Sequence, residues 1–280
     1  MDRSLYSIRE QLAAGAHGTI FVGVDLHANQ LVAIKVFNLS KATSKRAFRM
    51  ELFIHIIMVE KGKRICEALE FYEKPEHKGY MVMKKYPQDL FDLAFDQEKK
   101  LTIREIRKIF KRICRGVRDL HQKGVAHLDL KPENVLLDEQ NKPVLCDFGG
   151  SYACNGDYKD PDHYPTRYPK SKRANCRIKF HGRGTKAYSA PEVDGLDDFN
   201  PFSADIYSLG IILFTLLTGG FPFPIENSHD LYLLPAESKI GTLGFLLLSS
   251  MLSFDPAERP SIEYVVDQAC QIKDKSSRKK

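Results

Sequence analysis

The chain has 280 residues, 43% of them hydrophobic, which permits a substantial core and excludes a disordered polypeptide. Lys and Arg outnumber Asp and Glu by six, 42 against 36, an excess mild enough to matter for anionic partners only where it is clustered. Six scattered cysteines without a CxxC pair, and an N-terminus with no apolar stretch long enough for a signal peptide, lead us to expect free thiols and an intracellular setting, cytoplasm or nucleus.

In chain order, the first 85 or so residues have the pattern of strands with one helix. Thr19–Val24 and Leu31–Phe37 are β-rich runs, and Asp25–Gln30 between them is a hairpin turn. From Ser44 to about Val59 the pattern is helical, and Tyr80–Met83 is a further short strand. After Tyr86 the chain becomes mainly helical. Thr102 and Glu105 form a capping box, and Ile103, Ile106, Phe110, Ile113, Val117 and Leu120 recur at spacings of three and four up to Gly124, so a helix is predicted from Thr102 to Lys123. Further helices are expected near 204–218, 243–253 and 261–273. The longest apolar run, Leu209 to Leu217, is too short to span a bilayer, so no membrane insertion is expected. The basic tail, 271–280, is expected to fray.

Chemistry concentrates in His127-Leu128-Asp129-Leu130-Lys131-Pro132-Glu133-Asn134 and in Asp147-Phe148-Gly149, which begins thirteen residues after Asn134. Apolar runs, Val135-Leu136-Leu137 and Val144-Leu145-Cys146, separate the two motifs. Two carboxylates and an amide therefore stand at the ends of short strands, where they can face one point. Phosphoryl transfer needs such a set. One carboxylate orients the attacking hydroxyl and accepts its proton; the other, with an amide oxygen, holds Mg²⁺ against the phosphates.

These stretches resemble the catalytic loop and the D-F-G motif of the eukaryotic protein kinase superfamily, serine/threonine type. Other landmarks follow in the family's order. Leu12 to Ile20 resembles the glycine-rich loop, with Gly15 and Gly18 present and Ala13 at its first glycine. Val32-Ala33-Ile34-Lys35 resembles the strand with the phosphate-binding lysine, and Glu51 is its best helix partner, ahead of Glu60. Gly184 to Glu192 resembles the end of an activation segment, and Asp205 to Gly210 the start of the central helix, with Tyr207 where Trp is usual. Asp255 to Pro260 resembles the loop whose arginine, here Arg259, pairs with Glu192.

The resemblance runs from about Leu12 to Val266. It implies one α+β domain, 1–280, of bilobal kinase-like fold: a small β-rich N-lobe with one helix, about 1–85, and a larger, mainly helical C-lobe, about 86–270. It implies ATP with Mg²⁺, or Mn²⁺ as the alternative, and transfer of the γ-phosphate to serine or threonine hydroxyls of proteins. The implied catalytic residues are Asp129, Lys131, Asn134 and Asp147, with Asn134 and Asp147 on the metal. The implied nucleotide site comprises Gly15, Gly18, Lys35 and Glu51, with Ile20, Ala33 and Leu136 as apolar walls, Met83 as gatekeeper, and Lys84 to Tyr86 as hinge. Lys131 together with Thr185 resembles serine/threonine rather than tyrosine kinases. The alternatives are a nucleotide-binding pseudokinase or scaffold and, third, a kinase of small molecules or lipids.

Departures from the family carry expectations of their own. Leu128 replaces the arginine that grips an activation-segment phosphate in many relatives, so activity is expected not to require that phosphate. From Asp147 to Glu192 the segment spans 46 residues, and between His163 and Pro191 it carries Arg167, Lys170, Lys172, Arg173, Arg177, Lys179, Arg183 and Lys186 with no acid. This block is either a solvated loop or an attractor of acidic or primed substrates, nucleic acid or another polyanion. Cys154, His163, Cys176 and His181 in the same stretch could bind zinc tetrahedrally, although their spacing matches no compact zinc pattern. Phe221 to Phe245 is short for the region where relatives dock substrates.

Overall fold

Alternation along the first strands produces a two-faced sheet. The structure, a computed structural model, describes residues 5–59, 64–96, 100–154, 168–179, 185–195, 197–224 and 231–275. Strands β1 (Tyr6–Ala14), β2 (Thr19–Asp25), β3 (Gln30–Asn38), β4 (Ala68–Lys74) and β5 (Lys78–Lys84) form an antiparallel sheet in the order β1-β2-β3-β5-β4. The β2–β3 hairpin is closed by Asp25, whose Oδ1 accepts from the N–H groups of His27 and Ala28 at 2.9 and 3.0 Å. Because side chains alternate across the pleat, Val32 and Ile34 pack with Tyr80 and Val82 on one face. Ala33, Lys35 and Phe37 then point to the other, where helix α1 (Ala42–Met58) lies, with Phe48 edge-on to Phe37 at 5.3 Å.

The rest of the described chain is mainly helical: α2 (Leu90–Phe95), α3 (Ile103–Gln122), α4 (Lys170–Ala174), α5 (Pro201–Thr218), α6 (Leu234–Glu237), α7 (Thr242–Met251) and α8 (Ile262–Gln268). Two small sheets interrupt it: β6 (Gln88–Asp89) with β8 (Val135–Leu137) and β9 (Pro143–Leu145), and β7 (Val125–Ala126) with β10 (Tyr152–Ala153). These sheets flank the two chemical motifs and fix where they emerge. The architecture is the bilobal α+β one, a β-rich part followed by a helical part.

Helix α3 starts as its sequence requires. Thr102 Oγ1 accepts from the Glu105 N–H at 3.3 Å, and Glu105 Oε2 accepts from the Thr102 N–H at 2.9 Å. Its apolar stripe is buried against α5 and α8. Asn200 caps α5 by accepting from Phe202 N and Ser203 N, and nearly every residue of α5 is buried. This helix is longer than the apolar run in its sequence and is, by length and composition, able to cross a membrane; 89% of it lies inside the protein, where it forms the hub of the helical part. The expected fraying tail does not begin at Gln271. Ile272 is fully buried, Gly241 N donates to Lys273 O at 2.9 Å, and Lys275 N donates to Lys239 O at 3.2 Å.

Arg259 joins α5 to the segment before it. Its two terminal nitrogens meet the two Glu192 oxygens at 2.6 and 2.8 Å, its Nε donates to Ser253 O at 2.8 Å, and its guanidinium lies 4.9 Å from the Tyr207 ring centroid. Tyr207 thus supplies the aromatic face against which the cation stacks. Arg259→Ala would strand the Glu192 carboxylate and is expected to lower unfolding free energy by about 3 kcal/mol in denaturant titration. A loss under about 1 kcal/mol would show the bridge to be no more than a surface pair.

Candidate active site

Lys35, in the middle of β3, is the centre of the site. Its ammonium is buried and donates to Glu51 Oε1 at 2.7 Å and to Asp147 Oδ1 at 2.6 Å. Glu51 comes from α1, whose register places it opposite Lys35, and is itself 1% exposed. Burial alone would lower the Lys35 pKa, but the two carboxylates override it and raise it well above the usual ammonium value. Burial would likewise raise Asp147; the Lys35 charge and hydrogen bond outweigh it and hold that carboxyl below its ordinary range. Asp147 has φ +59°, an uncommon left-handed turn for an aspartate, and Phe148 after it is fully buried, ring to ring with His55 and His127. Phe148 seated under α1 keeps the Asp147 carboxylate on the cleft side, where 31% of it remains exposed.

The second motif is held from below by Asp205, at the start of α5. Its carboxylate is buried and accepts from His127 N and Leu128 N, each at 2.8 Å, and contacts His121 Nε2 at 2.8 Å. These bonds hold Leu128 at φ +62°, a strained value for leucine. His127 Nδ1 accepts from Asp129 N at 3.3 Å, so the ring proton sits on Nε2 and is donated to Cys146 O at 3.1 Å. One imidazole therefore ties the loop carrying Asp129 to the strand leading into Asp147.

Asp129 is surrounded by donors. Asn134 Nδ2 donates to its Oδ2 at 3.0 Å, Thr185 N and Oγ1 donate to its Oδ1 at 3.1 and 3.3 Å, and Lys131 Nζ lies 3.7 Å from Oδ2. Lys131 also donates to Thr185 Oγ1 at 2.8 Å. Both side-chain bonds of Asn134 use Nδ2, which leaves its Oδ1 as an oxygen ligand. With the Asp147 carboxylate it makes a set of hard oxygen donors suited to Mg²⁺.

The glycine-rich turn covers this centre. Gly15 N donates to Gly18 O at 2.9 Å, and Ser44 Oγ of α1 donates to His17 O at 2.9 Å, so the turn is pinned to the helix that carries Glu51. Gly18 has no alternative: a Cβ there would stand 2.5 Å from Val36 O. Gly15 is under no such restriction, since an added Cβ would come no nearer than 3.8 Å to Gly18 O. Ile20 and Leu136 are partly buried against the core, and Ala33 and Met83 are neighbours across β3–β5. Lys84 ends β5 and lies beside Tyr86, whose hydroxyl accepts from Glu67 N at 3.1 Å. The structure thus gathers Lys35, Glu51 and Asp147 in one cluster and Asp129, Lys131 and Asn134 in a second, with His127 tying the two loops together.

Three contributors have roles that the sequence did not assign. Asp205 acts through a contact 77 and 78 residues away, which no local pattern reveals. His17 packs so close to Gly149 that a Cβ on that glycine would stand 3.0 Å from its ring. Arg46 on α1 donates to Ser151 O at 3.1 Å, fastening the segment after Asp147.

The basic block divides. Arg173 is buried and paired to Glu263 at 2.7 Å, so it belongs to the interior and is not part of a solvated loop. Lys170, Lys172, Arg177, Lys179 and Lys186 are exposed. Glu60, Arg167, Arg183 and Gly184 lie outside the described residues, as do His163 and His181 of the zinc set. Among its described residues, Phe221 to Phe245 contains the four-residue α6 and the first turn of α7.

A β-rich part followed by a helical part, with a buried lysine–glutamate–aspartate triad and a second aspartate held by an asparagine, a lysine and a threonine, defines a protein kinase domain. The family model for that domain matches residues 6–270, and the chain belongs to this family. It is 30% identical over 271 residues to hormonally up-regulated neu tumor-associated kinase homolog A of Xenopus laevis, covering 92% of this chain and 36% of that protein. It is 27% identical over 272 residues to serine/threonine-protein kinase dkf-1 of Caenorhabditis elegans, covering 91% of this chain and 35% of that one. The chain spans about a third of the length of these relatives.

Proposed function

We propose that this chain, acting as a single domain, transfers the γ-phosphate of ATP to serine or threonine hydroxyls of protein substrates. The observation that supports the reading is the pair of clusters, Lys35 with Glu51 and Asp147, and Asp129 with Lys131 and Asn134. Bound Mg²⁺ supplies neutralisation of phosphate charge, and Asp147 and Asn134 Oδ1 are the groups that would hold it. Lys35, steered by Glu51, draws the α- and β-phosphates into place. Asp129 orients the acceptor hydroxyl and takes its proton, while Lys131 faces the charge that develops on the transferred group. Thr185, bonded to both Asp129 and Lys131, shapes the floor on which the acceptor residue rests. Analysis of the phosphorylated residue in a labelled protein mixture tests the specificity: phosphoserine and phosphothreonine are expected, and phosphotyrosine as the main product would overturn it.

The exposed Lys170, Lys172, Arg177, Lys179 and Lys186 of the activation segment support acidic or already phosphorylated substrates. Phosphorylation of an acidic peptide should then lose several-fold in kcat/KM between about 50 and 200 mM salt, with a neutral peptide much less affected. Leu128 is buried in the core and cannot hold a phosphate, while Arg46–Ser151 and Asp129–Thr185 fasten the segment without one. Phosphatase treatment is therefore expected to change activity less than twofold. A tenfold loss would contradict this.

A further inference from the structure

The fold brings two of the six cysteines together. Cys154 follows β10, and its N–H donates to Gly124 O at 2.9 Å. Cys176 follows α4, and its N–H donates to Arg173 O at 3.2 Å. The element before Cys176 is fastened to the helical part. Arg173 pairs with Glu263, Asn200 Nδ2 donates to Arg173 O and Ala174 O at 3.0 and 3.1 Å, and Ile178 exchanges backbone bonds with Phe199 at 3.0 and 3.1 Å. Tyr168, buried, donates its N–H to Gln122 O at 2.6 Å. Both cysteine backbones are thus anchored on one surface, and both side chains line a surface cavity of about 370 Å³ with Tyr152, Tyr168, Lys172 and Arg177. Cys66, Cys114 and Cys146 are buried, and Cys270 is exposed. Among the described residues no third metal ligand gathers at the pair.

We propose that Cys154 and Cys176 form a reversible disulfide site, oxidised by a peroxide and restored by a dithiol, which cross-links the start of the activation segment to its docked middle. The hydrogen bond from Cys154, with help from the Arg177 cation, lowers the Cys176 thiol pKa, while the same bond and burial raise that of Cys154. Cys176, whose neighbour Arg177 lines the same cavity and favours a thiolate, is the attacking sulfur. Its thiolate attacks a peroxide oxygen; the S–O bond forms, the O–O bond breaks, and hydroxide leaves and is protonated to water. The Cys154 thiol then loses its proton and attacks the sulfenic sulfur; the S–S bond forms, the S–O bond breaks, and a second water leaves. The thiol pair supplies the two electrons that reduce hydrogen peroxide to water.

The cross-link would close a loop of 21 residues, 155–175, with Cys154 seven residues after Asp147. It would brace a segment in which Leu128 has removed the usual phosphate grip. The site rests on the placement of the two cysteines at one cavity and stands whether or not the chain transfers phosphate.

The test uses the full chain, untreated or exposed to stoichiometric hydrogen peroxide, then alkylated, digested without reductant and analysed by mass spectrometry. The expected result is one species linking the Cys154 and Cys176 peptides, abolished by dithiothreitol, retained in a Cys270→Ser protein and absent from Cys176→Ser, which should also consume peroxide at least about tenfold more slowly. Should Cys176→Ser not fold, the linked peptide in the unmodified chain still decides. The proposal is overturned if both cysteines remain alkylatable after peroxide, if either pairs with another cysteine, or if the untreated protein carries one equivalent of zinc that shields both thiols.

Discussion

Asp129→Asn is expected to lower kcat by roughly 10³-fold while ATP affinity changes less than about threefold. The asparagine carbonyl can keep the bonds from Thr185 N and Oγ1, but its NH₂ would face Asn134 Nδ2, so one 3.0 Å hydrogen bond is lost. That loss costs about 1 kcal/mol of stability, which shifts the melting temperature by only a few degrees and separates a chemical defect from an unfolded one. Steady-state kinetics beside nucleotide titration make the check. A kcat within tenfold of the parent would mean that Asp129 does not take the acceptor's proton.

Lys35→Met should have the larger structural effect. Methionine keeps the apolar stem but removes the only charge that both Glu51 and Asp147 contact through Lys35, leaving two carboxylates facing one another in a buried site. Breaking such a cluster costs about 3–5 kcal/mol at neutral pH, and the loss of phosphate positioning should reduce kcat/KM by at least about a hundredfold. The pH dependence carries the diagnostic sign. In the parent, the depressed Asp147 pKa contributes stability that is full above its ordinary value of 3.8 and fades as pH falls towards about 2. The raised Lys35 pKa contributes stability that is present below 10.5 and is lost only as pH rises through its higher folded value. Stability from this triad is therefore flat between about pH 5 and 10. In Lys35→Met the charge and hydrogen bond that hold Asp147 down are gone, so burial raises its carboxyl pKa, the native state binds more protons than the unfolded one, and stability increases as pH falls from 7 to 5. Denaturant midpoints at several pH values would show it; a parallel decline of parent and variant would refute the coupling.

Much of the site could be read from the sequence because phosphoryl transfer confines its groups to short loops between apolar runs. Asp129, Asn134 and Asp147 stood out by their order between apolar runs and by resemblance to the family's motifs, and α3 announced itself by a capping box and a stripe of six apolar residues. What stayed hidden was long-range or weakly patterned. β1 is an exposed edge strand with register shifts between Ile8 and Gln11 and between Gln11 and Ala13, so its alternation is broken. β4 shifts register between Ala68 and Glu70. Arg173 sits in a run of like charges that reads as solvated, yet its partner Glu263 is 90 residues away. The Asp205 clamp beneath Leu128 and the meeting of Cys154 with Cys176 likewise arise only when the helical part is assembled.

The central claim is that one cleft binds MgATP and hands its terminal phosphate to a protein hydroxyl. Its most direct test is transfer of label from γ-labelled ATP to a protein acceptor with Mg²⁺, run on the parent chain and on Asp129→Asn side by side, with nucleotide binding measured in the same samples. The account predicts label on serine or threonine with the parent chain, near-complete loss with the variant, and ATP bound by both. A parent chain that binds ATP yet transfers no label with either Mg²⁺ or Mn²⁺, or a variant that transfers as well as the parent, would contradict it.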